Sequence, residues 1–482
     1  MEINGAKMFV KALQEEGVDT LFAYPGGTAI DLFDALYDAE GIDMILPRHE
    51  QALVHAADGY ARSTGRVGVC LVTSGPGATN LVTGIATANY DSVPLVCFTG
   101  QVPMNLIGND AFQEVDIVGI TRSICKYAVT VRKREDLARI IKNAFYIART
   151  GKPGPVVVDI PKDIQLAMGS DEYPTEVNIR GYKPSEGVHV GQIKRALAEL
   201  KNAKKPVFLC GGGVNIAHAR KEMQELAEKT GIPVVTTIMG KGAIPTDHPL
   251  YVGNIGMHGN MASNKAIMES DVLFSIGCRF NDRITGTIDT FAKNAKIIHV
   301  DIDAASISRN IKVDIPIVAD AKVAISKMLE YAEPLDIKGW VDDIMNVKAE
   351  YPINMNRYDG VTPEAIIRTI NDMYSNLIVT TDVGQNQLWT TQYIDIDENK
   401  QLLTSGGLGT MGYGLGAALG AKMGKKDKKV FNIAGDGCFR MNMNEIATAT
   451  RYNIPIIEVI INNHVLGMVR QWQDLYYGKR YS

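Results

Sequence analysis

"GDGCFRMNMNEIATATRYNIPIIEVIINN", residues 435–463, sets an acid between two glycines at one end and two asparagines at the other. KVFNIAG leads into it and IIEVIIN lies within it; both are apolar runs without polar alternation, as in strands buried on both faces. The spacing predicts a helix over 441–452 between them, giving a βαβ unit with parallel strands and a right-handed crossover. Both strands then end on one sheet edge, where ligands of open α/β sheets bind. Asp436 and Asn463 project hard oxygen donors there, a chemistry suited to Mg²⁺ or Ca²⁺ rather than zinc. The flanking glycines admit a diphosphate against the backbone, and the helix start offers free N–H groups. Either half alone reads as an ordinary turn or loop; the two together, at this spacing, favour a metal site.

The same alternation extends outward. Residues 1–168 carry VGVCLVT, PLVCFTG and PVVVDIP, residues 189–330 carry PVFLCGGG, PVVTT, VLFSIG and KIIHVDID, and residues 362–482 open on LIVTTDVG. The expected fold class is α/β, with three doubly wound parallel-sheet domains. A Gly-, Pro- and charge-rich linker covers 169–188. At 482 residues the chain exceeds one hydrophobic core, and about 150 residues per domain gives roughly three. A formal net charge of −4 with scattered basic residues argues against nucleic acid or an anionic membrane as partner, but not against small anionic ligands. Six cysteines without a C-x-x-C pair argue against a disulfide framework or zinc site and fit a reducing, cytoplasmic location. The N-terminal stretch reads as an amphipathic helix rather than a signal peptide, and no run reaches transmembrane length.

GDG, followed after a helix and strand by NN, resembles the thiamine diphosphate motif of enzymes that decarboxylate or ligate 2-oxo acids. The resemblance implies Mg²⁺ held by Asp436, Asn463 and the carbonyl of Val465, with Gly435, Gly437, Cys438, Leu466, Gly467 and Met468 around the cofactor. RHEQALVHAADGYARSTG holds Glu50, which on its own reads as a first-turn acid complementing the helix dipole. A carboxylate that activates such a cofactor is expected to be buried, with a raised pKa. The segment resembles the family's glutamate segment, followed in order by VGVCLVTSGPGATN with Thr73, Pro76 and Asn80. The resemblance makes Glu50 the catalytic group that hydrogen-bonds the pyrimidine and stabilises the imino tautomer that takes the C2 proton. YPGGTAIDLFDAL resembles the loop beside the cofactor, with Tyr24, Pro25 and the close-approaching backbone of Gly26. Gln113, in AFQEVD, falls where carboligating relatives carry a substrate-channel glutamine. Relatives that only decarboxylate carry adjacent histidines, and this chain has none.

The resemblance extends over essentially the whole chain and is nearest to the catalytic subunits of the acetolactate synthase family. TSGGLGTMGYGLGAALG supplies Gly409 and Met411, the latter as a wedge under the bent cofactor, and VGQNQLW supplies Val383, Gly384, Gln385 and Asn386 at the diphosphate. HVLGMVRQWQ places Met468, Val469 and Trp472 at a second-substrate pocket. By composition alone Met411 reads equally as packing, and Trp472 as a buried or interface aromatic. The middle segment resembles FAD-binding stretches: Gly211, Gly212, Gly213, Thr237, Met257, His258, Gly277, Arg279, Asn281, Arg283, Asp301, Ile302, Asp320 and Ala321, with Lys152 from the first segment. Lys152 stands where an arginine is usual, and Asn281 where an aspartate is usual; lysine keeps the charge but loses the bidentate fork. The family implies decarboxylation of pyruvate and ligation to a second pyruvate or 2-oxobutyrate, in valine, leucine and isoleucine biosynthesis. It also implies a homodimer or tetramer with shared active sites, a structural FAD and a small regulatory subunit. The family pattern continues beyond Ser482, so the third domain is expected to be C-terminally incomplete, with an exposed sheet edge. A pyruvate oxidase-like flavin enzyme and an inactive binding or assembly subunit remain as alternatives.

Overall fold

The computed structural model describes residues 1–355 and 358–481. The chain forms two compact units: residues 1–183, 377–387 and 403–482 in one, residues 184–376 and 388–402 in the other.

In the first unit a six-stranded sheet has the order Asp43–Ile45, Thr20–Tyr24, Gly68–Val72, Leu95–Gln101, Pro155–Pro161, Tyr127–Thr130. Every pairing in it is parallel. Its central strands are buried at every position, which is why they read as unbroken apolar runs. A four-stranded sheet has the order Lys400–Thr404, Leu377–Thr381, Lys429–Gly435, Ile457–Ile461, and the last three run parallel. Glu2–Asn4 and Met168–Ser170 form a separate antiparallel pair, which the expectation of parallel sheets alone did not include.

Helices Glu50–Thr64 and Tyr413–Gly424 meet face to face in this unit. The first is capped by the His49 side chain, which accepts from the Gln51 N–H, and ends at Gly65 with φ +75°. The second carries Gly414, Gly416 and Gly420. A Cβ at Gly420 would overlap the Ala56 carbonyl oxygen, and one at Gly59 would overlap that of Ala417. Helical glycine costs roughly 1 kcal/mol against alanine, so these glycines are explained by backbone-to-backbone approach.

The second unit contains a six-stranded sheet in the order Tyr251–Asn254, Val234–Thr236, Pro206–Cys210, Val272–Ile276, Lys296–Asp301, Ile315–Val318. Its pairings are all parallel, over a core that includes the edge-to-face pair Phe208 and Phe274. The fold is thus α/β with three parallel-sheet layers covered by helices. Among the described residues, no helix is long and apolar enough to cross a membrane.

Candidate active site

Glu50 is the first residue of its helix, because the chain leaves strand Asp43–Ile45, passes Pro47 and stays extended until His49 (φ −147°). It is half-buried, less than the full burial expected. Its Oε2 accepts from Asn80 Nδ2 at 2.9 Å. Around it the loop after strand Gly68–Val72 folds tightly. A Cβ on Gly77 would lie 2.9 Å from Thr73 Cγ2 and 3.5 Å from Glu50 Oε1, and one on Gly26 would lie 2.5 Å from Thr73 Cβ. The Thr28 hydroxyl joins Thr73 and Ser74 at 3.0 Å each. Gly75 has φ +57°, and Gln113 backs onto it: a Cβ on Gly75 would stand 2.8 Å from the Gln113 carbonyl oxygen. Gln113 itself has φ +60°, a conformation uncommon for a non-glycine residue. Gly26, Glu50, Thr73, Asn80 and Gln113, distant in sequence, therefore converge on one loop. Tyr24 closes strand Thr20–Tyr24 with exposed Pro25 beyond it, and Pro76 opens the short helix Pro76–Thr79.

The second cluster forms where strand Lys429–Gly435 turns directly into helix Asp436–Asn442, earlier than the expected start at 441. A 3₁₀ turn, Met443–Glu445, then separates it from helix Ile446–Arg451. Asp436 Oδ1 is buried without a hydrogen-bond partner. A buried lone acceptor costs about 1–3 kcal/mol, more for a charged group, so this oxygen stands where a cation would satisfy it. Asn463 lies in the loop after the parallel strand Ile457–Ile461. Its Nδ2 donates to Gln385 Oε1 at 3.0 Å, and its Oδ1 accepts from the Val465 N–H at 3.2 Å. Among the described residues no three His, Cys, Asp or Glu side chains gather into a metal-binding group, so a cation here would rest on one carboxylate with amide and carbonyl oxygens.

The surrounding residues pack along the same sheet edge. Positions for a Cβ on Gly384 (φ +120°) and on Gly435 both lie 3.5 Å from Asn386 Oδ1, and Asn386 Nδ2 donates to the carbonyls of Asp382 and Ile433 at 2.9 Å. Gly437 leaves space filled by Leu466 Cδ2 at 2.7 Å and Met411 Cε at 3.9 Å; Gly409 (φ +72°) faces Val383 at 3.8 Å. Cys438 Sγ donates to the Val383 carbonyl at 3.1 Å, and any side chain at Gly467 would overlap Gln385. Met468, Val469 and Trp472 lie on helix Gly467–Tyr476, where the Trp472 ring sits 5.1 Å from Tyr476.

Two supports were missed by the sequence reading. Asp382 is buried, and its carboxylate accepts from the N–H groups of Gly412 (2.6 Å), Tyr413 (3.1 Å) and Gly414 (3.3 Å), fixing the chain next to Met411. Burial pushes its carboxyl up to about 6, while those amides pull the other way. Its signal in the sequence is an acid ending the apolar run LIVTTD, just before the diphosphate loop. The second support is Arg62, partly buried, which bridges the buried carboxylates of Asp58 at 2.6 Å and Asp91 at 3.0 Å. Asp58 accepts from the Tyr413 hydroxyl, and Asp91 from the N–H groups of Gly406 and Gly407 in the loop leading to Met411.

In the second unit, the flavin candidates follow the carboxyl ends of the parallel strands. Gly211–Gly213 follow Pro206–Cys210, Thr237 follows Val234–Thr236, Met257 and His258 follow Tyr251–Asn254, and Gly277, Arg279, Asn281 and Arg283 follow Val272–Ile276. Asp301 and Ile302 end Lys296–Asp301, and Asp320 and Ala321 follow Ile315–Val318. Gly211 and Gly213 are held against Gly277, so these glycines serve loop-to-loop packing whatever they also bind. Asn281 Oδ1 is buried without a partner, whereas Asp320 already caps the helix Ala321–Tyr331. Lys152 belongs to the first unit, after helix Leu137–Arg149.

The chain carries all three domains of a thiamine pyrophosphate enzyme. Residues 3–120 match the N-terminal TPP binding domain of thiamine pyrophosphate enzymes, 193–328 the central domain and 382–482 the C-terminal TPP binding domain. The chain is 49% identical to a probable acetolactate synthase large subunit of Methanococcus aeolicus, over 99% of this chain and 83% of the relative. It is 48% identical to the acetolactate synthase large subunit of Corynebacterium glutamicum (100% and 78%) and 46% identical to the isozyme 3 large subunit of Escherichia coli (100% and 86%). The chain belongs to the acetolactate synthase large-subunit family.

Proposed function

We propose that this chain is the catalytic subunit of a thiamine diphosphate-dependent acetolactate synthase. It removes CO₂ from pyruvate and joins the two-carbon remainder to a second pyruvate or to 2-oxobutyrate, yielding 2-acetolactate or 2-aceto-2-hydroxybutyrate for branched-chain amino acids. The observation that carries the reading is the unsatisfied, buried Asp436 Oδ1 at a helix start, one residue beyond Gly435, which pairs with Ile461, two residues before Asn463. Asp436, Asn463 and the Val465 carbonyl are assigned to Mg²⁺, and the helix start with Gly384, Gln385, Asn386 and Gly437 to the diphosphate. When bound, the cofactor supplies the electron sink for decarboxylation. Glu50 would hold the pyrimidine end by a hydrogen bond, Met411 would pack against the cofactor, and Gln113 with the Gly26 backbone would orient the substrate oxygen. Met468, Val469 and Trp472 shape the acceptor pocket, where an indole favours 2-oxobutyrate beside pyruvate.

Three functional domains are assigned: 1–168 for the pyrimidine, 189–330 for FAD and 362–482 for diphosphate and metal. FAD has no redox duty in this reaction and serves structure, with Arg279 and Arg283 toward its diphosphate or ring. We extend the reading to a homodimer or tetramer in which Glu50 of one protomer serves the Asp436 cluster of another. A small regulatory partner accords with the name "large subunit" carried by the relatives. Six unpaired cysteines accord with a cytoplasmic location. The test is Mn²⁺ binding, read by electron paramagnetic resonance with thiamine diphosphate present. Tight binding that Asp436→Ala removes supports the assignment; equal binding by that variant refutes it.

A further inference from the structure

The four residues before Glu50 (Leu46, Pro47, Arg48 and His49) carry three backbone N–H groups, since proline has none. All three are held by side chains about 400 positions further along the chain. The Leu46 N–H donates to the Tyr452 hydroxyl at 3.1 Å. The Arg48 N–H donates to both Glu445 oxygens, at 2.9 and 3.1 Å, and the His49 N–H to Glu445 Oε1 at 3.0 Å. Glu445 is fully buried, and its Oε2 also accepts from the Thr448 hydroxyl at 2.7 Å. Burying a carboxylate costs several kcal/mol unless such charge-assisted bonds offset it, so packing alone does not explain an acid here. Four donors converge on this side chain, the fourth being Asn444 Nδ2 at 3.4 Å from Oε1; the two oxygens of a carboxylate accept them all, whereas an amide offers one oxygen with two lone pairs.

We propose that Glu445, aided by Tyr452, is a positioning residue for Glu50: it fixes the backbone from which the catalytic glutamate projects. Both holding residues belong to the helical stretch that begins at Asp436, so the segment after the metal motif also sets the glutamate turn. A displacement on the order of 1 Å at a reacting group costs about a hundredfold in rate. The inference rests on Glu50 being the cofactor-activating group.

The experiment compares wild type, Glu445→Gln, Glu50→Gln and the double variant as full chains, with two readouts. The first is amide hydrogen exchange over residues 46–50 without cofactor. The second is exchange of the C2 proton of bound thiamine diphosphate, quenched in acid and read by NMR. Glu445→Gln is expected to speed amide exchange in this turn and to slow C2 exchange about tenfold to a hundredfold, with cofactor affinity and KM for pyruvate held within about twofold. In the Glu50→Gln background, Glu445→Gln is expected to add nothing, because it acts through Glu50. Unchanged C2 exchange in Glu445→Gln, or equal loss in both backgrounds, overturns the inference. If Glu50→Gln itself leaves C2 exchange unchanged, the Glu50 reading fails instead. Should Glu445→Gln not fold, Tyr452→Phe decides: a smaller loss that vanishes in the Glu50→Gln background supports the proposal, and no loss overturns it.

Discussion

Asp436 begins a helix directly after the strand ends at Gly435, and one of its carboxylate oxygens is buried with nothing to accept from. Asp436→Asn keeps the shape and removes the charge. We expect metal-dependent cofactor affinity, measured by calorimetry, to fall by at least the ~10–100-fold seen when an outer partner of a metal ligand is lost. Behind this group Asn432 donates to both oxygens of Glu458, at 2.9 and 3.0 Å. Burial pushes the Glu458 carboxyl up to about 7; the Asn432 hydrogen bond opposes this, and the nearby Asp382 carboxylate adds to it. The unfolded chain releases this proton near 4.5, so between those values the folded state binds more protons and stability falls as pH rises. The contribution is complete below about 4.5 and lost above about 7. Urea melts at the two ends should show Glu458→Gln lacking about 2–3 kcal/mol of the wild-type decline.

At the scale of elements, the contact between helices Glu50–Thr64 and Tyr413–Gly424 sets the frame of the site. Gly420→Ala gains roughly 1 kcal/mol of helix propensity. Its methyl would, however, meet the Ala56 backbone carbonyl, which cannot step aside. Overpacking of about 1–3 kcal/mol or more wins, so thermal melting should show a lower Tm, by several degrees. At Gly437 the obstacle is the end of the Leu466 side chain, so Gly437→Ala should keep its Tm while losing cofactor affinity. The glycines of the second helix were not read as a packing signal, whereas the buried strands were legible because parallel sheets leave no polar face. Edge strands such as Tyr127–Thr130 and Lys400–Thr404 are short and partly polar, and no period marked them. Asp382, Glu445 and the Asp58–Arg62–Asp91 group escaped the reading for another reason. Their partners are up to several hundred residues away, and a lone acid looks the same on a solvated face as in a core.

At the scale of the whole molecule, one unit carries the candidate residues of both thiamine half-sites, and the other carries the flavin candidates except Lys152. If FAD is structural, pyruvate added anaerobically to the flavin-loaded protein should leave its absorbance that of oxidised flavin; bleaching would point to a pyruvate oxidase. The order of motifs along the chain marked three segments, and that the first and third share one unit was not legible from it. Which half-sites meet, and in which protomers, depends on contacts that no local pattern encodes.

The central claim is that these clusters make acetolactate. The decisive assay incubates the purified chain with pyruvate, Mg²⁺, thiamine diphosphate and FAD, and measures 2-acetolactate beside the Glu50→Gln variant. The account predicts product from the native chain and a loss of about a hundredfold or more in the variant, in keeping with the 10²–10⁴-fold contribution of a positioned acid–base group. No product from a folded, cofactor-loaded chain, or equal product from both, would contradict it.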